Sequence, residues 1–267
     1  MRFPILAALA LLAGPAPAHE FWLEPQQFQV ESGEQLNADL RNGQQFKGLA
    51  LAYFKTQTAR FEMIRGDSVT DVGNRMGDVP AMAVKAPEDG LLVILHQTMP
   101  STLKYTKWET FEGFTTHKDF VSAQQQHRDR GLPAAMFTET YTRYAKALVA
   151  VGDGKGADRD TGMETEFVAL TNPYTDDLSQ GMKVRLTHDG QPRKDAQVEI
   201  FDRDKDKSVT VTTQRTDAKG EATIPVTPGH TYLLDAVILR PVNEGAAFDE
   251  DLPVWESLWA ALTFAVP

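Results

Sequence analysis

The sequence predicts an all-β protein of two β-sandwich domains, with a short helical insertion in the first. Three observations predict it. Short runs of alternating or continuous apolar residues recur along the chain, separated by Gly, Pro, Asn and Asp at the spacing of about eight to twelve residues typical of sandwiches. One polar, Gln-rich segment, Trp108 to Gly131, breaks that rhythm with Phe111, Phe114, Phe120 and Val121 at roughly helical spacing. A hydrophobic content of 42% is enough to bury a core.

The elements follow in order. Phe28 to Val30 leads into a Ser32-Gly33 turn, and Leu36 to Leu40 alternates up to Asn42-Gly43, a favourable turn dipeptide. Leu49 to Phe54 is nearly continuous in apolar residues and is expected to be a buried strand. Arg60 to Ile64, Ala81 to Lys85 and Leu91 to His96 read as further strands. Asp119 to Arg130 reads as a helix stopped by Gly131-Leu132-Pro133. Tyr141 to Val151 mixes helix and strand formers and is assigned to strand. Gly152 to Gly162 is an Asp- and Gly-rich loop without the closing Glu of a calcium hand, so a solvated loop is expected. Beyond it, strands are expected over Glu164 to Leu170, Met182 to Thr187, Ala196 to Phe201, Val209 to Arg215, Ala222 to Val226 and Tyr232 to Leu239, with Trp255 to Phe264 closing the chain. Asp202 to Lys207 reads as an exposed hairpin tip. The expected boundaries are 1–18 for a leader, 19–175 for the first sandwich with its helical insert and 176–267 for the second.

The leader is a secretory signal peptide by pattern. Arg2 precedes an apolar run, Phe3 to Ala13, that is shorter than the roughly 20 residues a membrane helix needs. Ala16-Pro17-Ala18 is the small-x-small pattern cut by signal peptidase. Cleavage before His19 would export the chain to a periplasm with no membrane span. The absence of cysteine excludes a disulfide framework, a thiolate metal site and a lipid-bearing cysteine. A formal charge of -10 without a basic run disfavours nucleic acid and anionic lipid as partners.

The C-terminal part is similar to transthyretin-like, carboxypeptidase-regulatory-like sandwiches. The resemblance rests on Gly190-Gln191-Pro192 before Ala196-Gln197-Val198, then Thr216-Asp217-Ala218-Lys219-Gly220, then Pro228-Gly229. With it, the predicted class is two sandwiches of immunoglobulin-like or transthyretin-like type. The whole exported chain resembles a bacterial family catalogued as a domain of unknown function and often labelled nickel-uptake or cobalt-uptake accessory protein. That likeness rests on Ala18 to Leu23, on Glu139, Tyr141, Arg143 and Ala145 to Leu148, on the turn motifs just quoted, and on Ser257 to Phe264. It implies periplasmic handling of a divalent transition metal.

The residues bear on this independently. Once the leader is cut, His19 carries an α-amine and an imidazole on one Cα, and both can surrender their protons to a metal near neutral pH. Nitrogen-rich sites suit Ni(II) and Cu(II). The apolar Phe21, Trp22 and Leu23 argue against a frayed end. His96, at the end of an apolar strand, is the expected second ligand. His117 and His127 are ten residues apart and would not share a helix face; each reads as a surface or packing residue. His188 and His230 fall in turns and read as solvated, as do Glu20 and Glu24. The four tryptophans read mostly as packing residues. No serine elbow, phosphate loop or zinc-protease motif is present.

The expected function is therefore a non-enzymatic periplasmic binding protein. Its ligand is nickel, cobalt or copper, the first two favoured, and its partner a membrane metal transporter or an outer-membrane receptor. The alternatives are a copper histidine-brace oxidative enzyme and a non-catalytic interaction module.

Overall fold

Strands from both halves of the chain share one central sheet of ten strands in the computed structural model, which describes residues 19–267. The expected signal peptide and its cut after Ala18 lie outside the described residues. The main path of this sheet runs Val209–Arg215, Gln197–Arg203, Thr231–Pro241, Pro253–Ala265, Phe137–Val151, Gly90–Thr98, Thr58–Arg65 and Ser68–Asp71. At its middle, Phe137–Val151 and Pro253–Ala265 pair in parallel. The expected boundary near residue 175 thus divides the sequence but not the sheet. A parallel pair needs a long crossover, and here everything between residues 151 and 253 supplies it.

A four-stranded sheet packs on each face. On one face, Thr165–Ala169, Met182–His188, Gln191–Pro192 and Glu221–Ile224 close a sandwich. Its core takes alternate residues of the central strands: Leu91, Val93 and Leu95; Tyr144 and Leu148; Val198 and Ile200; Leu258, Leu262 and Phe264. On the other face lie Glu20–Pro25, Gln35–Gln44, Lys47–Leu51 and Met82–Lys85, packed over Leu92, Ile94, Ala145, Ala147 and Val149. Period-two alternation along each central strand therefore feeds two separate cores.

Two helices cover the rest of that second face: α1 (Trp108–His117) and α2 (Val121–Asp129). The single helix expected from Asp119 is instead the second of a pair, broken where Asp119 takes a left-handed φ of 66°. Phe111 and Phe114 bury a third apolar cluster with Phe137, Trp255 and Trp259. His127 is buried there, accepting from Trp255 Nε1 at 3.0 Å.

Other expectations need correcting. The Lys47–Leu51 strand is an edge strand, with Leu49 79% exposed, because Gln35–Gln44 pairs with it on one side and no strand among the described residues pairs with it on the other. The turn before it falls at Gln45-Phe46, both left-handed, and not at Asn42-Gly43. Phe46 is buried in that unusual turn against Trp22, with the Arg203 guanidinium over its ring at 3.9 Å. Packing overrides turn propensity there. The loop from Gly152 is not wholly solvated: Asp158 turns inward to Lys146 Nζ at 2.8 Å, with Glu166 at 3.0 Å, all three side chains fully buried.

That triad ties the loop to the central strand, and breaking it strands buried charge. Lys146→Ala is expected to destabilise the fold by about 3–5 kcal/mol. Urea denaturation measures it, and a loss below about 1 kcal/mol would show that the triad is not an anchor.

Candidate functional site

On the helix-bearing face of the central sheet, odd-numbered residues of Phe137–Val151 point toward the second core. Ala145 to Val151 supply apolar groups, and Phe137 and Tyr141 reach the helical cluster. Between these stretches lie Glu139 and Arg143. The parallel partner strand sets Trp255 beside Glu139, Ser257 beside Tyr141 and Trp259 beside Arg143. Two cavities open at this place. One, of about 260 Å³, is lined by His19, Tyr105, Phe114, Glu139 and Trp259 among others. The second, of about 300 Å³, is lined by Phe21, Phe54, Thr58, His96 and Ser101 among others. Asn42, Tyr141 and Arg143 line both and form the partition between them.

Glu139 is buried at the base of the first cavity. It accepts hydrogen bonds from Tyr105 Oη at 2.8 Å and from Ser257 Oγ, which in turn accepts from Trp259 Nε1 at 2.8 Å. Burial pushes its pKa up to about 7, although both hydroxyls favour the carboxylate. Burial and the Glu139 charge likewise raise that of Tyr105. Ser257 is fully buried and does not line the cavity, so the Ser257–Glu139 contact is not an exposed nucleophile beside its base.

The half-buried Arg143 guanidinium stacks on Tyr141 at 5.1 Å and on Trp259 at 4.9 Å. Its Nη1 donates to the His19 carbonyl at 2.7 Å, and its backbone N–H donates to Thr98 Oγ1 at 3.0 Å. Burial lowers its pKa. Among the described residues it forms no ion pair. The neighbouring carboxyls are engaged elsewhere. Asp235 pairs with Lys118 at 2.8 Å, and Glu199 pairs with Lys118 and, at 2.7 Å, with His117. Burial raises the pKa of Asp235; that of Glu199 falls despite burial because His117 and Lys118 hold its charge. Glu20, expected to be solvated, is buried and accepts from the Gln45 backbone N–H at 2.9 Å. Burial, with Asp235 nearby, pushes its pKa up to about 7. Glu24 is half-buried, bonded to Trp22 Nε1 at 2.6 Å and Arg203 at 2.5 Å.

His19 and His96 therefore line adjoining cavities and do not share one. His19 is exposed at the start of the first strand, while His96 is buried between the rings of Phe21 and Phe61, 5.4 and 5.1 Å away. Thr58 Oγ1 lies 3.1 Å from His96 Nε2 and 3.1 Å from the Phe54 carbonyl, to which it donates. Nδ1 of His96 is buried and has no hydrogen-bond partner among the described residues. Burial lowers the ring's pKa to about 3, leaving it neutral. A group of three potential metal ligands within 4.8 Å occurs elsewhere, at Glu164, His188 and Asp189. Arg240 already pairs with Glu164 there at 2.9 Å, supplying the positive charge a metal would bring.

The family model described as Domain of unknown function (DUF4198) matches residues 16–240. The chain belongs to this family. The match begins just before His19 and takes in Glu139 and Arg143, so the family region includes most of the cavity wall, though not Trp259. No curated protein sequence matches the chain. Among solved structures, the D0-D1 domain of Intimin is 14% identical, covering 91% of this chain and 97% of that one, with a TM-score of 0.20. A tetra-tandem repeat from the extending region of a large adhesion protein is 12% identical, covering 92% of this chain and 49% of that one, with a TM-score of 0.21. Scores of this size lie below those of a shared fold, and neither likeness bears on what the chain does.

Alternating Glu139, Tyr141 and Arg143 in a strand that is otherwise apolar on that face was a signal available in the sequence. The partner residues Ser257 and Trp259 were not identifiable as such without the parallel pairing.

Because Glu139 has a higher pKa in the fold than its ordinary value of 4.5, the folded state holds more protons between pH 4.5 and about 7. Its burial therefore costs stability progressively as pH rises through that window, on the order of 3 kcal/mol once above it. Glu139→Gln is expected to gain stability relative to the parent over that window and to hold a constant advantage above it. Thermal unfolding from pH 4 to 8 reads the difference; a pH-independent difference would refute the assignment.

Proposed function

We propose that the protein is an exported, non-catalytic binding protein that captures a divalent transition metal, nickel or cobalt foremost, at His19 after cleavage before that residue. The observation that carries this reading is the anchoring of His19. The strand from Glu20 to Pro25 pairs along its length with Gln35–Gln44, Phe21, Trp22 and Leu23 are buried, and Arg143 holds the His19 carbonyl. An amine and an imidazole at such an end are pre-organised, which lowers the entropy cost of chelation. Their nitrogens suit nickel, cobalt and copper. The uptake-accessory role attached to the family resemblance supports the same reading, with a periplasmic location and a membrane transporter or receptor as the partner that takes the metal on.

His19 carries the affinity in this reading. His96, the expected second ligand, faces the adjoining cavity, and its neutral ring can contribute only across the Asn42–Tyr141–Arg143 partition. Glu139 lines the same cavity as His19, and its carboxyl becomes a better neighbour for a cation above its pKa of about 7.

Calorimetric titration of protein beginning at His19 with Ni(II) and Co(II) tests the proposal. One extra glycine before His19 is expected to weaken binding by at least about tenfold, and His96→Phe by less. Unchanged affinity in the extended protein would overturn the proposal, as would no binding to the processed one.

A further inference from the structure

The Arg143 partition has chemistry that metal capture at His19 does not use. We propose that the cavity shared by Arg143 and His96 is a site for a small hydroxylated organic carboxylate, with its carboxylate on the guanidinium and its hydroxyl hydrogen-bonded to Nδ1 of His96.

Three observations carry this, and none depends on a metal at His19. First, Arg143 is a cation without a carboxylate partner among the described residues. Its guanidinium lies over the rings of Tyr141 and Trp259, one Nη1–H goes to the His19 carbonyl, and the side chain lines both cavities. A guanidinium held by such contacts has remaining N–H groups in the planar fork that a carboxylate matches. The acidic groups around it do not take that place. Asp235 is bound to Lys118, Glu139 accepts from two hydroxyls, and Glu20 accepts from the Gln45 backbone.

Second, Nδ1 of His96 is a buried ring nitrogen without a hydrogen-bond partner among the described residues. Such groups are rare in folded proteins unless a ligand or water completes them. A ligand hydroxyl, able both to donate and to accept, supplies the missing partner.

Third, the walls define the ligand's body. Phe21, Leu40 and Phe54, which line the cavity with His96 and Arg143, are apolar or aromatic. A cavity of about 300 Å³ is at the lower end of small-molecule sites. A net charge of -10 with one unpaired cation in the partition selects a monocarboxylate over a polyanion.

Calorimetry on protein beginning at His19, with chelator present so that no metal contributes, tests the site. The probes are 3-hydroxybenzoate and 4-hydroxybenzoate, with the corresponding hydroxybenzamides and benzoate as controls. At least one hydroxybenzoate is expected to bind saturably, its amide at least about tenfold more weakly, and benzoate more weakly than the hydroxy acid. Arg143→Gln should abolish the preference for acid over amide. His96→Phe should abolish the preference for hydroxybenzoate over benzoate while keeping the preference for acid over amide. Absence of binding by both hydroxybenzoates overturns the proposal, as does an amide that binds equally well. The ligand-side controls stand even where a variant fails to fold. Failure here leaves nickel titration untouched, and failure of nickel binding leaves this titration untouched.

Discussion

The pairing of Phe137–Val151 with Pro253–Ala265 is the constraint on which the molecule depends. It is the parallel junction at the middle of the central sheet, and it joins residues more than a hundred positions apart. The last strand also accepts Thr231–Pro241 on its other edge, and Thr263 Oγ1 donates to the Leu23 carbonyl at 2.7 Å, so the first strand of the described chain is held by the last. Parallel pairs need a long crossover connection. The first and last strands of the described residues are thus joined by long-range contacts, and the cavity lined by both His19 and Trp259 depends on them.

A polar seam crosses the same sheet face and separates the core beneath the first strands from the core beneath the helices. Across neighbouring strands Glu199 stands opposite Asp235, Asp235 opposite Ala261, and Ala261 opposite Ala145; one step along, Val237, Trp259 and Arg143 follow in line. Lys118 at the end of α1 reaches into this seam and lies over Trp259 at 5.0 Å. Glu20 enters from the first strand. A continuous apolar face would have packed with less desolvation cost, since buried ions gain little net stability over well-packed hydrophobic residues. The seam is where the fold departs from the simplest solution, and such departures concentrate at functional places.

Much of the fold was legible in local pattern, and the reasons are particular. Val198 and Ile200 share a face because strand periodicity is strict, and Val209 to Arg215 forms the expected strand over its full length. The choice of strand for Tyr141 to Val151 holds because the segment is the spine of the sheet, buried on both faces. Burial was less legible where it depends on distant partners. Leu49 looks like a core residue and is exposed because its strand lies at an edge, whereas Glu20 looks solvated and is buried because Gln45, two strands' length away, supplies an N–H. Phe46 takes a left-handed turn only because Trp22 and Arg203 cover it. Of the candidate site, His19 and His96 were visible as chemistry, while Arg143 entered only through a family resemblance. The partition between the two histidines is made of Asn42 and of Tyr141 and Arg143, and no local pattern joins those strands.

This arrangement gives His19 a dual dependence on Arg143. The guanidinium fixes the His19 backbone through its carbonyl, yet its positive charge opposes a second cation in the same cavity. The opposition is weakened if an anion lies on Arg143 and if Glu139 is ionised, because each places negative charge beside the guanidinium. Were a metal bound at His19, a carboxylate on Arg143 would favour it, and by reciprocity the metal would favour the carboxylate by the same factor. Tyr141 and Trp259 hold the guanidinium by cation–π contacts, which do not consume its N–H groups. A lysine at the same position would lack the planar fork, which is the physical reason for an arginine at the junction of the two cavities.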